Sequence, residues 1–289
     1  MSYIAHILTM ISIYIILGVS WNLVFGYGGM LSICHAAFYG IGAYVFSLLI
    51  THFDFSFIMA LLSSVAVTGI SAFLIGGISL RLRGDFFFLA TLGFQTIIFS
   101  FLYNWTELTN GPYGIAGIPR PVILGINIGG IWSYFLLVGG IASVVTWMVW
   151  RVTTLPFGRT LQAARDDELA AQSLGKNTQR IKQIAFTLGG LSAAVSGALF
   201  AGYTGYIDPT MFTLDESIFI ICVVIIGGTG TLSGPIIGSA ILVLLPEFLR
   251  ILDFPNDVAA NIRQVIYGLL LIILMRFRSQ GILGRYVFD

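Results

Sequence analysis

The sequence predicts an all-α polytopic membrane protein with about 8–10 transmembrane or half-membrane helices, some of them interrupted by glycine. Three observations carry that class. Charged residues are 9% of the chain, against about 25% in an ordinary soluble domain. Hydrophobic residues are 57%, so 14 basic and 13 acidic side chains would have to cover the surface of 289 residues. Their spacing decides the matter. The first charged residue is Asp54, and charge-free windows follow at 55–80, 86–106, 121–150, 183–207 and 217–246. Each exceeds the roughly 20 residues that cross a hydrocarbon core as helix. Lipid offers the backbone no hydrogen-bond partner, so windows of this length are helical. The alternation of a transmembrane barrel, about ten residues per strand, is absent.

Composition excludes other classes. A formal charge of +1 points to no nucleic-acid partner. Cys34 and Cys222 lie in apolar windows, which argues against a structural disulfide and offers no metal spacing. Residues 4–24 are long enough to span and lack a basic n-region, so they read as a helix and not a cleavable signal. The sequon-like Asn104-Trp105-Thr106 is a chance match. Residues 1–289 are expected to form a single transmembrane domain with no cofactor.

The expected spans, in order, are 4–24, 31–50, 57–80, 86–103, 131–150, 183–203 and 257–276, with a broken hydrophobic hairpin at 217–249. The hairpin fits two spans or two half-helices. Basic residues orient the bundle. Arg81, Arg83, Arg151, Arg159, Arg165, Lys176, Arg180, Lys182, Arg276, Arg278 and Arg285 fall in one set of connections, and Arg120, Arg250 and Arg263 in the other. The turn at 81–85, the loop at 151–182 and the C-terminus therefore face the cytoplasm. The loops at 104–130, 204–216 and 250–258 face out. The first 53 residues carry no Asp, Glu, Lys or Arg, so the N-terminus is left open. Only 12 residues separate Arg263 from Arg276, about 18 Å of helix, so the last span starts earlier and contains Arg263. That arginine either snorkels to the headgroups or lines a polar path.

Two glycine clusters interrupt the apolar segments. Gly26-Tyr27-Gly28-Gly29-Met30-Leu31-Ser32 breaks the first, and the run from Gly227 to Pro235 breaks the hairpin. Both contain Gly-x-Leu-Ser, as Gly29 to Ser32 and Gly230 to Ser233. Unwound backbone survives in a membrane only when protein shields it or when it lines a cavity. Matching breaks in two halves point to an internal repeat and a translocation path. On that view Gly28, Gly29, Ser32, His35, Gly228, Gly230 and Ser233 line the path. The alternative is a pair of ordinary tight turns between closely packed helices. His35 follows the first break and needs a polar partner, either a neighbouring helix or a polar substrate.

The loop at 151–182 is the one sizeable polar element. Leu161, Ala164, Leu169, Ala170 and Leu174 supply an apolar side to one or two short helices, and Gly175 stops them. Asp166, Asp167 and Glu168 are not read as a metal site. The run Glu168 to Gly175 (ELAAQSLG) resembles the Glu-Ala-Ala…Gly loop by which ATP-binding-cassette permeases dock on their ATPases. The resemblance then extends along the chain: Asn22 to Tyr44 (NLVFGYGGMLSICHAAFYGIGAY), Leu80 to Phe94 (LRLRGDFFFLATLGF), Asn104-Trp105, Thr109 to Ile115 (TNGPYGI), Ala164 to Ala171 (ARDDELAA) and Gly227 to Gly238 (GGTGTLSGPIIG). Together these resemble the LivM-type branched-chain amino acid permeases of ABC importers. The pattern departs at Met30 and Cys34, where members often carry Gln and Gly.

The resemblance implies a membrane subunit that translocates branched-chain amino acids in a bacterial or archaeal plasma (inner) membrane. Its partners would be a second, LivH-like permease, two cytoplasmic ATP-binding subunits and an external or periplasmic solute-binding protein. Arg165, Asp166, Asp167, Glu168, Ala170, Ala171 and Gly175 would couple it to the ATPases, with small residues at Ala170 and Ala171 admitting a partner's groove. Urea, short amides or other amino acids are the alternative cargo, since their permeases resemble the same pattern. The residues themselves agree with this division of labour. Gly175-Lys176-Asn177 lacks the earlier glycine and the hydroxyl of a phosphate loop, so the chain is not expected to be an enzyme. An ion-coupled transporter or channel would need acids within the spans, and only Glu247 approaches such a position. No nucleophile–base pair stands out.

Overall fold

The computed structural model describes residues 2–82, 84–123, 126–251, 269, 282 and 283. Arg83, Arg263, Arg276, Arg278, Arg285 and the expected span at 257–276 lie outside the described residues, apart from Leu269 within that span.

The chain is a helical membrane bundle. Six described helices are long and apolar enough to cross a bilayer: α1 (Ser2–Asn22, continued by a π-helical turn Leu23–Tyr27), α2 (His35–Phe53), α3 (Phe57–Ser79), α4 (Asp85–Asn104), α6 (Ile131–Thr154) and α9 (Thr178–Thr204). Short elements fill the connections. A one-turn α5 (Thr106–Thr109), a 3-10 turn (Gly111–Tyr113) and β1 (Ile115–Ala116), β2 (Val122–Ile123) and β3 (Ile126–Asn127) join α4 to α6. Helices α7 (Pro156–Asp166) and α8 (Glu168–Ser173) join α6 to α9. Strand β4 (Tyr206–Ile207) pairs with β1 and leads to α10 (Leu214–Gly227) and α11 (Ser233–Ile251).

Helices α1, α2 and α9 form the centre. Some 67%, 67% and 61% of their apolar windows are buried, against 28%, 22% and 22% for α3, α4 and α6, whose outer faces are left for lipid or another subunit. Small residues bring the central pair together. A Cβ at Gly42 of α2 would stand 2.6 Å from the Ala194 carbonyl oxygen of α9, and one at Gly197 would overlap the Tyr39 carbonyl. With no hydrophobic drive between helices in lipid, backbone approach of this kind is what holds them. Phe38, Phe186 and Phe87 then interlock edge to face around α2, α9 and α4.

The end of α1 that was open on charge alone is placed by packing. His6 and Tyr203 share a hydrogen bond of 2.6 Å, so the start of α1 lies beside the end of α9, opposite the polar loop. The hairpin at 217–249 is two antiparallel helices. At 14 residues α10 is about 21 Å long, less than the roughly 30 Å of a hydrocarbon core, so it is too short to cross by itself. Asp215 and Glu216 stand in its first turn, and the Tyr14 hydroxyl, well inside α1, donates to Glu216 Oε1 at 2.9 Å.

Candidate translocation and coupling site

Both breaks sit at the end of the bundle that carries the polar loop. α1 and α10 run towards it side by side, Gly18 meeting Val223, and Asn22 meeting Gly230. The first break opens with the π-helical turn, which leaves the backbone without its regular ladder. Gly29, at φ +67°, then turns the chain, with its N–H bonded to the Phe25 carbonyl at 2.8 Å. The segment climbs back along α1, where Trp21 Nε1 donates to the Ser32 carbonyl at 2.8 Å, and α2 starts at His35.

A helix that begins inside the bundle exposes N–H groups that lipid will not satisfy. Side chains of other helices take them. Thr91 Oγ1 accepts from the Ile33 N–H at 3.2 Å, Ser217 Oγ from Ala36 at 3.1 Å and Gln95 Oε1 from Ala37 at 2.7 Å. Gln95 also donates to the Phe212 carbonyl at 2.8 Å. His35 is 1% exposed, and the backbone of Ser20 on α1 is its polar neighbour across the helix pair.

The second break is closed by chain from farther on. Ile282 and Leu283 donate to the carbonyls of Ile226 and Gly227, both at 3.0 Å, and take up the free end of α10. Gly228 and Gly230 adopt φ of +119° and +73°. Beyond the turn, α11 returns against α10 backbone to backbone, a Cβ at Gly238 overlapping the Val223 carbonyl.

Two clefts open beside the breaks. One of about 750 Å³ is lined by Gly29 to Leu31, by Arg81, Gly84 and Asp85 of the turn after α3, and by Glu168, Thr178 and Lys182. The other, about 660 Å³, holds Gly230 to Ser233 with Thr153, Gln162 and Arg165. Of the residues expected to line a path, Gly29, Gly230 and Ser233 reach these clefts, whereas Ser32 and His35 are enclosed in the core. Gly28 packs on the Val24 carbonyl (2.6 Å to a built Cβ), and Gly228 ends α10.

The polar loop folds onto the same end. Leu161 and Ala164 of α7 are buried against the bundle. Asp167 caps α8 by accepting from the Ala170 N–H at 3.0 Å. Glu168 is a clip to α9, accepting from Thr178 Oγ1 at 2.9 Å and from Lys182 Nζ at 2.8 Å. Gly175, at φ +75°, turns the chain back towards α9. One expectation needs correction. Ala171 is 4% exposed and packs within the chain, so it is not open to a partner; Ala170 faces out, flanked by Leu169 and Leu174 at 69% and 80% exposure. Asp166 is exposed and pairs with Arg165 at 2.7 Å.

The profile of the family described as branched-chain amino acid transport system / permease component matches residues 3–275. The chain belongs to that family. This permease is 36% identical over 300 residues to the high-affinity branched-chain amino acid transport system permease protein LivM of Salmonella typhimurium, covering 96% of this chain and 69% of the relative. Its identity to the LivM protein of Escherichia coli is 35% over the same coverage. It is also 31% identical over 192 residues to the autoinducer 2 import system permease protein LsrC of Salmonella paratyphi B, covering 63% of this chain and 53% of the relative. No solved structure matches it.

In this permease, polar residues of the site escaped the sequence. Gln95, Ser217 and Thr91 were single polar letters in apolar runs, and nothing local to them shows that they cap a helix begun at His35. Asn22 carried a signal of its own, an amide near the end of the apolar run 4–24, which needs a partner.

Proposed function

We propose that the whole chain serves as one membrane subunit of an ATP-driven importer for branched-chain amino acids. The observation that carries this is the match to LivM relatives along 96% of the chain. The chain is also similar to an autoinducer 2 permease, but that likeness covers less of the chain. The importer would comprise a second, LivH-like permease, two ATP-binding subunits that hydrolyse ATP, and an external solute-binding protein. The exposed α8 face, with Ala170, Leu169 and Leu174, would meet the ATPases, and the two clefts at the breaks would open into the path. Reconstituting the complete complex with labelled leucine, isoleucine, valine, urea and short amides tests the cargo. ATP-dependent uptake of the three amino acids is expected. Uptake of urea or amides alone, or uptake that follows an ion gradient without ATP, would overturn it.

The side assignment rests on basic residues. Arg81, Arg151, Arg159, Arg165, Lys176, Arg180 and Lys182 crowd the end that holds α7 and α8, which would face the cytoplasm of a plasma (inner) membrane. The start of α1 would then be external. A cysteine at the exposed Ser173 is expected to react with a membrane-impermeant maleimide only in inverted vesicles. Labelling in intact cells would reverse the orientation.

A further inference from the structure

One side chain joins the two breaks. Asn22, at the last residue of α1 and fully buried, accepts from the Gly230 N–H through Oδ1 at 3.0 Å. Its Nδ2 donates to the Thr231 carbonyl at 2.8 Å. Both polar groups of the amide are thus spent on the unwound segment of the second break, 208 residues away. One turn on, the Gly26 carbonyl accepts from Arg165 Nη1 at 2.6 Å, and Arg165 stands on α7 of the polar loop. Its side chain is 11% exposed, and Gly29 leaves it room, since a Cβ there would lie 2.6 Å from Arg165 Cγ. Gly26 is also where the breaks touch, a built Cβ standing 2.6 Å from the Gly230 nitrogen.

We infer that Asn22 is a positioning residue for transport: it locks the second break to the first, so that a displacement of α7, received at Gly26 through Arg165, moves both breaks as one unit. This rests on the proposal that the polar loop receives work from ATPases. Three features favour transmission over simple packing. The amide makes its bonds to the backbone of a glycine turn and not to another regular helix. The turn it grips is a compact unit, Thr231 Oγ1 accepting from the Gly234 N–H at 3.2 Å and donating to the Leu283 carbonyl at 3.1 Å, so a pull on its backbone moves it whole. The π-helical turn begins directly after Asn22 and contains Gly26, where Arg165 is received, and an irregular ladder there can change register without breaking the helix above it.

The test uses the complete reconstituted complex and reads solute moved per ATP hydrolysed. A residue needed only for folding lowers transport and hydrolysis together; a lost linkage separates them. With Asn22→Leu, substrate-stimulated hydrolysis is expected to persist while solute moved per ATP falls about 10- to 100-fold, since the turn loses both amide hydrogen bonds that tie it to α1. Asn22→Asp keeps the acceptor for Gly230 and loses the donor to Thr231, so an intermediate ratio is expected. It is nearly isosteric and carries the test alone if the leucine variant does not assemble. Arg165→Met combined with Asn22→Leu is expected to be no worse than the more damaging single change, as for two parts of one linkage. A wild-type ratio in Asn22→Asp, or a proportional loss of uptake and hydrolysis, would overturn the inference. A wild-type complex that moves no solute with ATP would instead overturn the importer reading, leaving the two failures distinct.

Discussion

Replacing Gly26 or Gly230 with leucine is expected to abolish transport while the protein still inserts in the membrane. The two positions fail for different physical reasons. Gly26 lies in the π-helical turn at a φ any residue adopts, and its limit is space: any Cβ overlaps Asn22 Oδ1 and presses on the Gly230 nitrogen. Leucine there must prise the breaks apart and evict the amide that joins them. Gly230 has φ +73°, and the left-handed region costs an L-residue roughly 1–2 kcal/mol before any contact is counted. Neither change lowers the hydrophobicity of a span, so insertion has no reason to fail. Gly140 in α6 is the control, because a Cβ there meets nothing within 4 Å. Uptake of labelled leucine into proteoliposomes, with the amount of inserted protein measured alongside, reads the result. Transport by both variants at the wild-type rate would reduce these glycines to punctuation between helices.

The spans were legible because lipid tolerates so few charges, and the errors lie where the helix stops for other reasons. The expected span at 31–50 starts four residues early, since residues 31–34 are mostly apolar yet not helical, and α2 opens only at His35. Conversely, α9 begins at Thr178, ahead of the apolar run, because Asn177 caps it by accepting from the Arg180 N–H at 3.0 Å. Hydropathy alone sees neither event. The site was half legible. The glycine breaks and the polar loop stand out in composition, but the contacts that assemble them span more than a hundred residues, as between Arg165 and Gly26. Which face of α8 is open was beyond periodicity. Six residues make fewer than two turns, so alternation cannot separate Ala170 from Ala171, and the fold decides by burying the second.

That distinction sets the second large effect: Ala170→Trp is expected to release the proposed ATPase subunits from a correctly inserted permease. The position combines three conditions. Its side chain is exposed, between Leu169 and Leu174, so it offers a partner an apolar, nearly featureless surface. Its N–H is already held by Asp167, so the substitution removes no internal hydrogen bond. And α8 cannot yield easily, because Glu168 ties it to Thr178 and Lys182 of α9. A bulky ring in a fitted contact would then overpack it, at about 1–3 kcal/mol if the interface is packed like a core. That is about 5- to 150-fold in the docking equilibrium, enough to lose the ATPases on purification. Ala171→Trp is a different experiment, since a ring at that buried position must displace the chain's own packing and tests the fold of the loop instead. Recovery of stoichiometric ATPase with Ala170→Trp, together with uptake at the wild-type rate, would remove α8 as the docking element.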